Sequence, residues 1–268
     1  MESLMDNIVS YLEYLNGRQE LNVTVHFSDA TVSRIPEPFF RRLLPYNVHM
    51  NPYCIQVKKD RWDVCVAAQR EVEQADCPGG YCRSCHAGVR EYVHSIRTGG
   101  ETVGYVSVSG YQCYQAQIPR EDRKCWEENL SPEPLPQDRC KVLIPPLCRR
   151  FELLFTYPLV TERRDEYNLI LQYINERHGQ ITLEELGTHF GRSRSHISHL
   201  FNERCSMTLR AYCNELKLDY AKKLLTTTEV PVTEIALDAG YNDVSYFIVL
   251  FRERFGETPL QFRKRAGL

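Results

Sequence analysis

Several features of other protein classes are missing from this chain. The opening residues, MESLMDNIVSYLEYLNG, have neither the basic start nor the apolar middle of a signal peptide. No apolar run approaches the roughly 18 residues of a membrane span. A net charge of −2 and a pI near 6.5 give no overall positive field. Acids and bases also balance within residues 161–268. Contact with nucleic acid must therefore rest on local placement of charge. Nucleotide-binding loops, dinucleotide glycine patterns, hydrolase elbows and the zinc-protease His-Glu-x-x-His are absent as well. Cysteine is not scarce, with 11 in the chain. A chain of 268 residues without an export signal is too large for a disulfide scaffold, so these are expected to be reduced thiols. The expectation is a cytoplasmic protein that is not an enzyme.

What is present is a helical pattern written twice. Leu186–Gly191 leads to Ser193, His196, Ile197, Leu200, Phe201 and then Tyr212. Ile235–Gly240 leads to Asp243, Tyr246, Phe247, Leu250, Phe251 and then Phe262. Each copy is a short amphipathic helix, a glycine at the turn, and a second helix with apolar residues at i, i+3 and i+4. That is the pattern of a helix-turn-helix unit. A single unit is a weak signal, because helical hairpins fill many cores, whereas two in tandem are a strong one.

Before the repeat the chain is mixed. Leu4, Ile8, Leu12 and Leu15 make an apolar stripe at helical spacing, stopped at Asn16–Gly17. The stripe can pack on its own domain or join two protomers. Leu21, Val23, Val25 and Phe27 alternate with polar residues, which predicts a strand with one buried face. Pro36 and Pro38 open a short helix through Leu44, and Arg61 to Val72 reads as another. Glu91–Ile96 and Thr102–Ser109 form a hairpin through Gly99–Gly100. Ser131 to Pro136 and Pro145–Pro146 interrupt regular structure, with a helix expected from Cys148 to Tyr157. The expected division is 1–130, a connector at 131–160, and an all-helical domain at 161–268.

Within the helical domain, Thr182 and Glu185 form a capping box, and Ser193 caps the next helix. With Ile197, Leu200 and Phe201 inward, Ser195, Ser198, His199 and Asn202 face outward, where they can hydrogen-bond base edges. Arg192 and Arg194 flank the helix start and can meet phosphates. The same face is also what a solvated helix would carry. In the second copy the outer face is Ser245, Ile248, Val249 and Arg252, with few hydrogen-bonding groups. The helix from Leu209 to Leu224 joins the copies as a strut, and Arg263–Lys264–Arg265 is either a phosphate contact or a solvated tail.

These residues carry a resemblance. Ile235–Ala236, Gly240–Tyr241, Ser245–Tyr246–Phe247, Phe251–Arg252 and Gly256–Glu257–Thr258–Pro259 resemble the signature of the AraC/XylS family of transcription regulators. Lys217–Leu218, Ala221 and Leu224–Leu225 are similar to that family's linker helix. The resemblance implies a seven-helix domain with two helix-turn-helix units on one face of double-stranded DNA. It implies base-reading positions at Arg194, Ser195, Ser198, His199, Ser245 and Val249, the last departing from the polar or basic residue usual there. It brings DNA, a small-molecule effector, RNA polymerase and a second copy as candidate partners.

In the first domain, Phe27–Ser28–Asp29–Ala30–Thr31, Cys54, Cys65, Cys85–His86–Ala87–Gly88 and Gly104…Gly110–Tyr111–Gln112 resemble the PocR-type sensory domain. This implies an α+β, PAS-like fold that senses a small organic molecule. Tyr53, Cys54, Cys65, Cys85, His86 and Tyr105 are the candidate effector residues, with Tyr81, Tyr92 and Tyr111 as further aromatic lining. The insertion Cys77–Pro78–Gly79–Gly80–Tyr81–Cys82 departs from the pattern. Three readings of the cysteines stand together. Cys54, Cys65, Cys82, Cys85 and His86 supply tetrahedral zinc ligands, Cys82 and Cys85 form a reversible disulfide, or the thiols are small buried apolar groups. The first two would make a metal- or thiol-responsive regulator. A thiol-disulfide enzyme would leave the repeat unexplained, and a protein-interaction adaptor would account for Ile248 and Val249.

Overall fold

Gly99 and Gly100 both take positive φ, 57° and 87°, and reverse the chain between the two longest strands of a computed structural model. The model describes residues 2–75, 79–157 and 165–266, in two compact units, Met1–Leu169 and Ile170–Leu268. Cys77 and Pro78 of the insertion, and the expected boundary at Val160, lie outside the described residues. The hairpin strands, β3 (Val89–Thr98) and β4 (Glu101–Gln112), run longer than the alternation suggested. With β1 (Asn22–Phe27) and β2 (Gly80–Ser84) they form an antiparallel sheet in the order β1-β4-β3-β2. β2 has no apolar alternation and is half-exposed, so sequence periodicity passed it over.

One face of this sheet is apolar. Val23, Val25, Phe27, Val106 and Val108 are buried, and Phe27 meets Phe151 edge-on at 5.2 Å. That layer is supplied by α1 (Glu2–Gly17) and α7 (Pro145–Leu154), whose Ile8, Leu12, Leu15, Leu147 and Phe151 are fully buried. The apolar stripe of α1 is thus consumed inside its own unit. Pro145 and Pro146 sit in the first turn of α7, where the missing N–H is not needed, so they start a helix earlier than Cys148.

The other face of the sheet departs from expectation. β1 was expected to bury only its apolar face, yet Thr24 and His26 are 6% and 4% exposed. The reason is a second layer, α4 (Pro52–Gln74), which packs on β4. This helix begins nine residues before the expected Arg61, because Asn51 Oδ1 accepts from the Tyr53 N–H at 2.9 Å and Pro52 fits the first turn. Its axis breaks at Arg61, where φ is −131° and ψ is 38°. The buried polar groups beneath it are partnered. Thr24 Oγ1 lies 3.1 Å from His26 Nε2 and 3.0 Å from His49 Nε2. Ser107 donates to Glu91 at 3.0 Å.

Residues 170–268 are helical wherever described outside their turns. α8 (Glu166–Glu176) ends at Gly179, and α9 (Leu183–Phe190) opens on the capping box, with both Thr182–Glu185 bonds present. α10 (Arg194–Arg204) is capped by Ser193, and α11 (Leu209–Thr227) by Thr208. α12 (Val232–Asp238), α13 (Val244–Phe255) and α14 (Pro259–Ala266) follow, with Asp243 accepting from Ser245 and Tyr246 N–H at the start of α13. Leu186, Ile197 and Phe201 bury one helix pair, and Ile235, Ala236, Phe247 and Phe251 the other. Arg263 donates to the Val230 carbonyl and Arg265 pairs with Glu257, so this basic run belongs to a packed helix and is no solvated tail.

Two measurements test these packing arguments. Gly179 and Gly191 both hold left-handed backbone, φ 74° and 62°, but a Cβ at Gly179 would strike the Cys213 carbonyl while one at Gly191 meets nothing within 4 Å. Gly191→Ala is expected to cost about 1–2 kcal/mol in urea unfolding, and Gly179→Ala distinctly more; equal losses would refute the packing account. The second test concerns the histidines. Burial holds His26 well below its ordinary pKa and pushes His49 down to about 3. The unfolded chain takes up protons near pH 6.5 that the folded chain refuses, so stability is complete above that pH and falls as the solution is acidified toward the folded values. The loss is about 1.4 kcal/mol per pH unit for each histidine held neutral. His49→Gln should flatten the slope between pH 6.5 and 5, and an unchanged slope would show that other groups set it.

Candidate functional site

The outward surface of residues 170–268 is built by the caps. Ser193 Oγ accepts from His196 N–H at 3.2 Å, fixing where α10 starts. Ile197 and Phe201 then point inward, leaving Arg194, Ser195, His199 and Asn202 exposed and Ser198 half-buried. His199 Nδ1 lies 3.4 Å from Glu203 Oε2, one turn along. Arg192 is exposed at the turn before the helix. On α13, Ser245 and Arg252 are exposed, Val249 is 52% exposed, and Ile248 is half-buried.

A groove of about 600 Å³ is lined by Ser198, Asn202, Arg210, Asn242, Asp243 and Tyr246, among others. Arg194, Arg210 and Arg252 enter no ion pair or side-chain hydrogen bond among the described residues. Arg210 escaped the sequence reading. An arginine in the first turn of a helix, against the helix dipole, was the available signal. Unpaired guanidinium groups beside small hydrogen-bonding side chains can meet phosphate oxygens and base edges.

The first unit holds a second feature, a cavity of about 50 Å³ between α4 and the polar face of the sheet. It brings together Cys54, Cys65, Cys85, His86 and Tyr105, and adds His49, Lys58, Arg83 and Glu91. Tyr53 is not on its wall; it lies in the neighbouring apolar core, donating its hydroxyl to the Ala87 carbonyl at 2.7 Å. Tyr81, Tyr92 and Tyr111 are off the wall too. Glu91 is held by Arg83 at 3.2 Å, and burial raises its carboxyl above the ordinary range.

The thiols of the cavity are protonated groups. Burial pushes Cys85 up to about 11 and raises Cys54 and Cys65, while His86, 3.2 Å from Cys65 Sγ, is lowered. A reactive thiolate needs the opposite environment. Cys82 takes no part in the cavity. It lies among Tyr92 and Cys140 on the other side of the sheet, so Cys82 and Cys85 do not meet. Alternation along the strand separates them, because residues three apart face opposite ways. Among the described residues no three His, Cys, Asp or Glu side chains are grouped as a metal ion requires.

The family-model match falls in the helical part. Residues 186–265 match the family model of a helix-turn-helix domain. The chain is 28% identical over 136 residues to the HTH-type transcriptional regulator YijO of Escherichia coli, covering 50% of this chain and 48% of that one. It therefore spans about half the length of that relative. It is 33% identical to the C-terminal domain of the two-component response regulator yesN from Fusobacterium nucleatum, covering 37% of this chain and 97% of that one, with a TM-score of 0.34. A probable AraC family transcriptional regulator from Rhodopseudomonas palustris is 29% identical, over 36% and 93% of the two chains, with a TM-score of 0.34. Residues 186–265 of this chain are a helix-turn-helix domain.

Proposed function

We propose that the chain is a DNA-binding transcription regulator, in which residues 170–268 read double-stranded DNA and the first unit senses a small organic effector. The observation that carries the reading is the outward face of α10. In a helix-turn-helix domain, this face combines hydrogen-bonding side chains (Ser195, Ser198, His199 and Asn202) with the unpaired Arg194. The two helix pairs, α9–α10 and α12–α13, act as two reading units joined by α11. Two such helices on one strut can enter major-groove segments about 34 Å apart.

The first pair is the principal reader. Its face offers several donors and acceptors, while that of α13 sets Ser245 beside Val249, which can touch a thymine methyl and nothing more. Arg192, Arg194, Arg210 and Arg252 supply phosphate contacts. The effector role of the first unit is supported by its cavity, where five of the candidate residues converge with charged side chains. A cavity of this kind, mostly apolar with a few polar groups, is the usual form of a small-molecule site. Binding there shifts the DNA affinity of the second unit.

Fluorescence anisotropy on operator and scrambled DNA, at several salt concentrations, tests the assignment. His199→Ala should lose about 1–3 kcal/mol of discrimination while non-specific binding survives. Arg194→Ala should weaken both about equally and lower the salt slope by about one. Val249→Ala should cost no more than about 0.8 kcal/mol per CH₂ removed. A larger specificity loss from Val249→Ala than from His199→Ala would make the second pair the reader.

A further inference from the structure

Lys58 is a cation carried into the first unit, and no counter-charge meets it among the described residues. It is 9% exposed, and its ammonium sits 5.4 Å from the centre of the Trp62 ring. Among the described residues no carboxylate forms an ion pair with it. The nearby acids are taken: Glu91 holds Arg83 and accepts from Ser107, and Asp122 holds Arg61. Buried lysines are rare unless paired, because losing water costs several kcal/mol. Apart from Glu91, which is matched by Arg83, the residues that share the cavity with Lys58 add no negative charge. His26 and His49 stay neutral and the thiols of Cys54, Cys65 and Cys85 stay protonated. Lys58 itself lines the cavity, beside Val57, Val72, Ala87 and Val89.

We propose that this cavity binds a small monocarboxylate, with the carboxylate against Lys58 and a short aliphatic tail on Val57, Val72 and Val89. The proposal rests on reading the first unit as the effector-binding part, and names the chemical class of the effector. One charge is called for, since Arg83 is already matched by Glu91 and a doubly charged phosphate would leave its second charge unmet. Size follows from the space. A cavity of about 50 Å³, at roughly 10–15 Å³ for each water it could hold, takes a molecule of four or five non-hydrogen atoms. Propionate has that size and shape.

Calorimetric titration of the full chain with sodium propionate and with its neutral isostere propionamide, at fixed ionic strength, tests the class. Propionate should bind the wild-type chain more tightly than propionamide by on the order of tenfold to a hundredfold, the worth of a hydrogen bond to a charged group. Lys58→Met, which keeps an unbranched apolar stem but removes the ammonium, should abolish that preference, with circular dichroism checking its fold. If propionamide binds the wild type as well as propionate does, the anion proposal falls and the cavity stands as an effector site. Were the preference to persist in Lys58→Met, Lys58 would not be the receiving group and the proposal would fall. If neither compound binds, the effector reading of the cavity falls with it.

Discussion

A polar group that leaves water is costly unless it finds a partner inside, and much of both units is arranged around that cost. In the first, the sheet buries a polar face as well as an apolar one. Thr24 serves two histidines with a single hydroxyl, and Glu91 takes a bond from Ser107 and an ion pair from Arg83. α4 can lie over this face only because those groups are already matched. In the second unit the orphan groups are the N–H donors of helix starts. Thr182, Ser193, Thr208 and Asp243 each receive them, and these four side chains decide where each helix begins. Moving a start by one residue would turn the helix by about 100° and carry a different set of side chains outward.

That dependence explains why the helical part was legible in the sequence and much of the first unit was not. Caps and apolar spacing are local signals, so the turn at Gly191 and the inward set Ile197 and Phe201 could be read from neighbouring residues. Alternation of polar and apolar residues in β1 is equally local, but it says only that the two faces differ. Whether Thr24 and His26 meet water depends on α4, which begins only at Pro52. The cavity is less local still, since it joins His49, Cys65, Cys85 and Tyr105 from separate elements. Spacing alone suggested a partnership of Cys82 with Cys85, and the pleat of the strand undoes it.

The outward faces of α10 and α13 differ for a related reason. α13 keeps the inward spacing of α10, with Phe247 and Phe251 meeting edge-on at 5.6 Å, but spends its outer positions differently. Ile248 is half-buried and so belongs partly to packing. An apolar residue shared between core and surface cannot also be exchanged freely for a polar one. The outer face of the second helix pair is therefore held closer to a structural role, and that of the first is freer to vary.

The position of Trp62 beside Lys58 has an optical consequence. The chain has two tryptophans. Trp126 is buried and donates its indole N–H to the Gly88 carbonyl at 3.0 Å, a fixed surrounding. Trp62 is half-buried, with an ammonium group over its ring. Indole emission shifts with the local electric field, and Trp62 is the emitter whose ring lies against the Lys58 ammonium of the cavity. The protein thus carries its own reporter, and its native emission can follow the cavity without any attached dye.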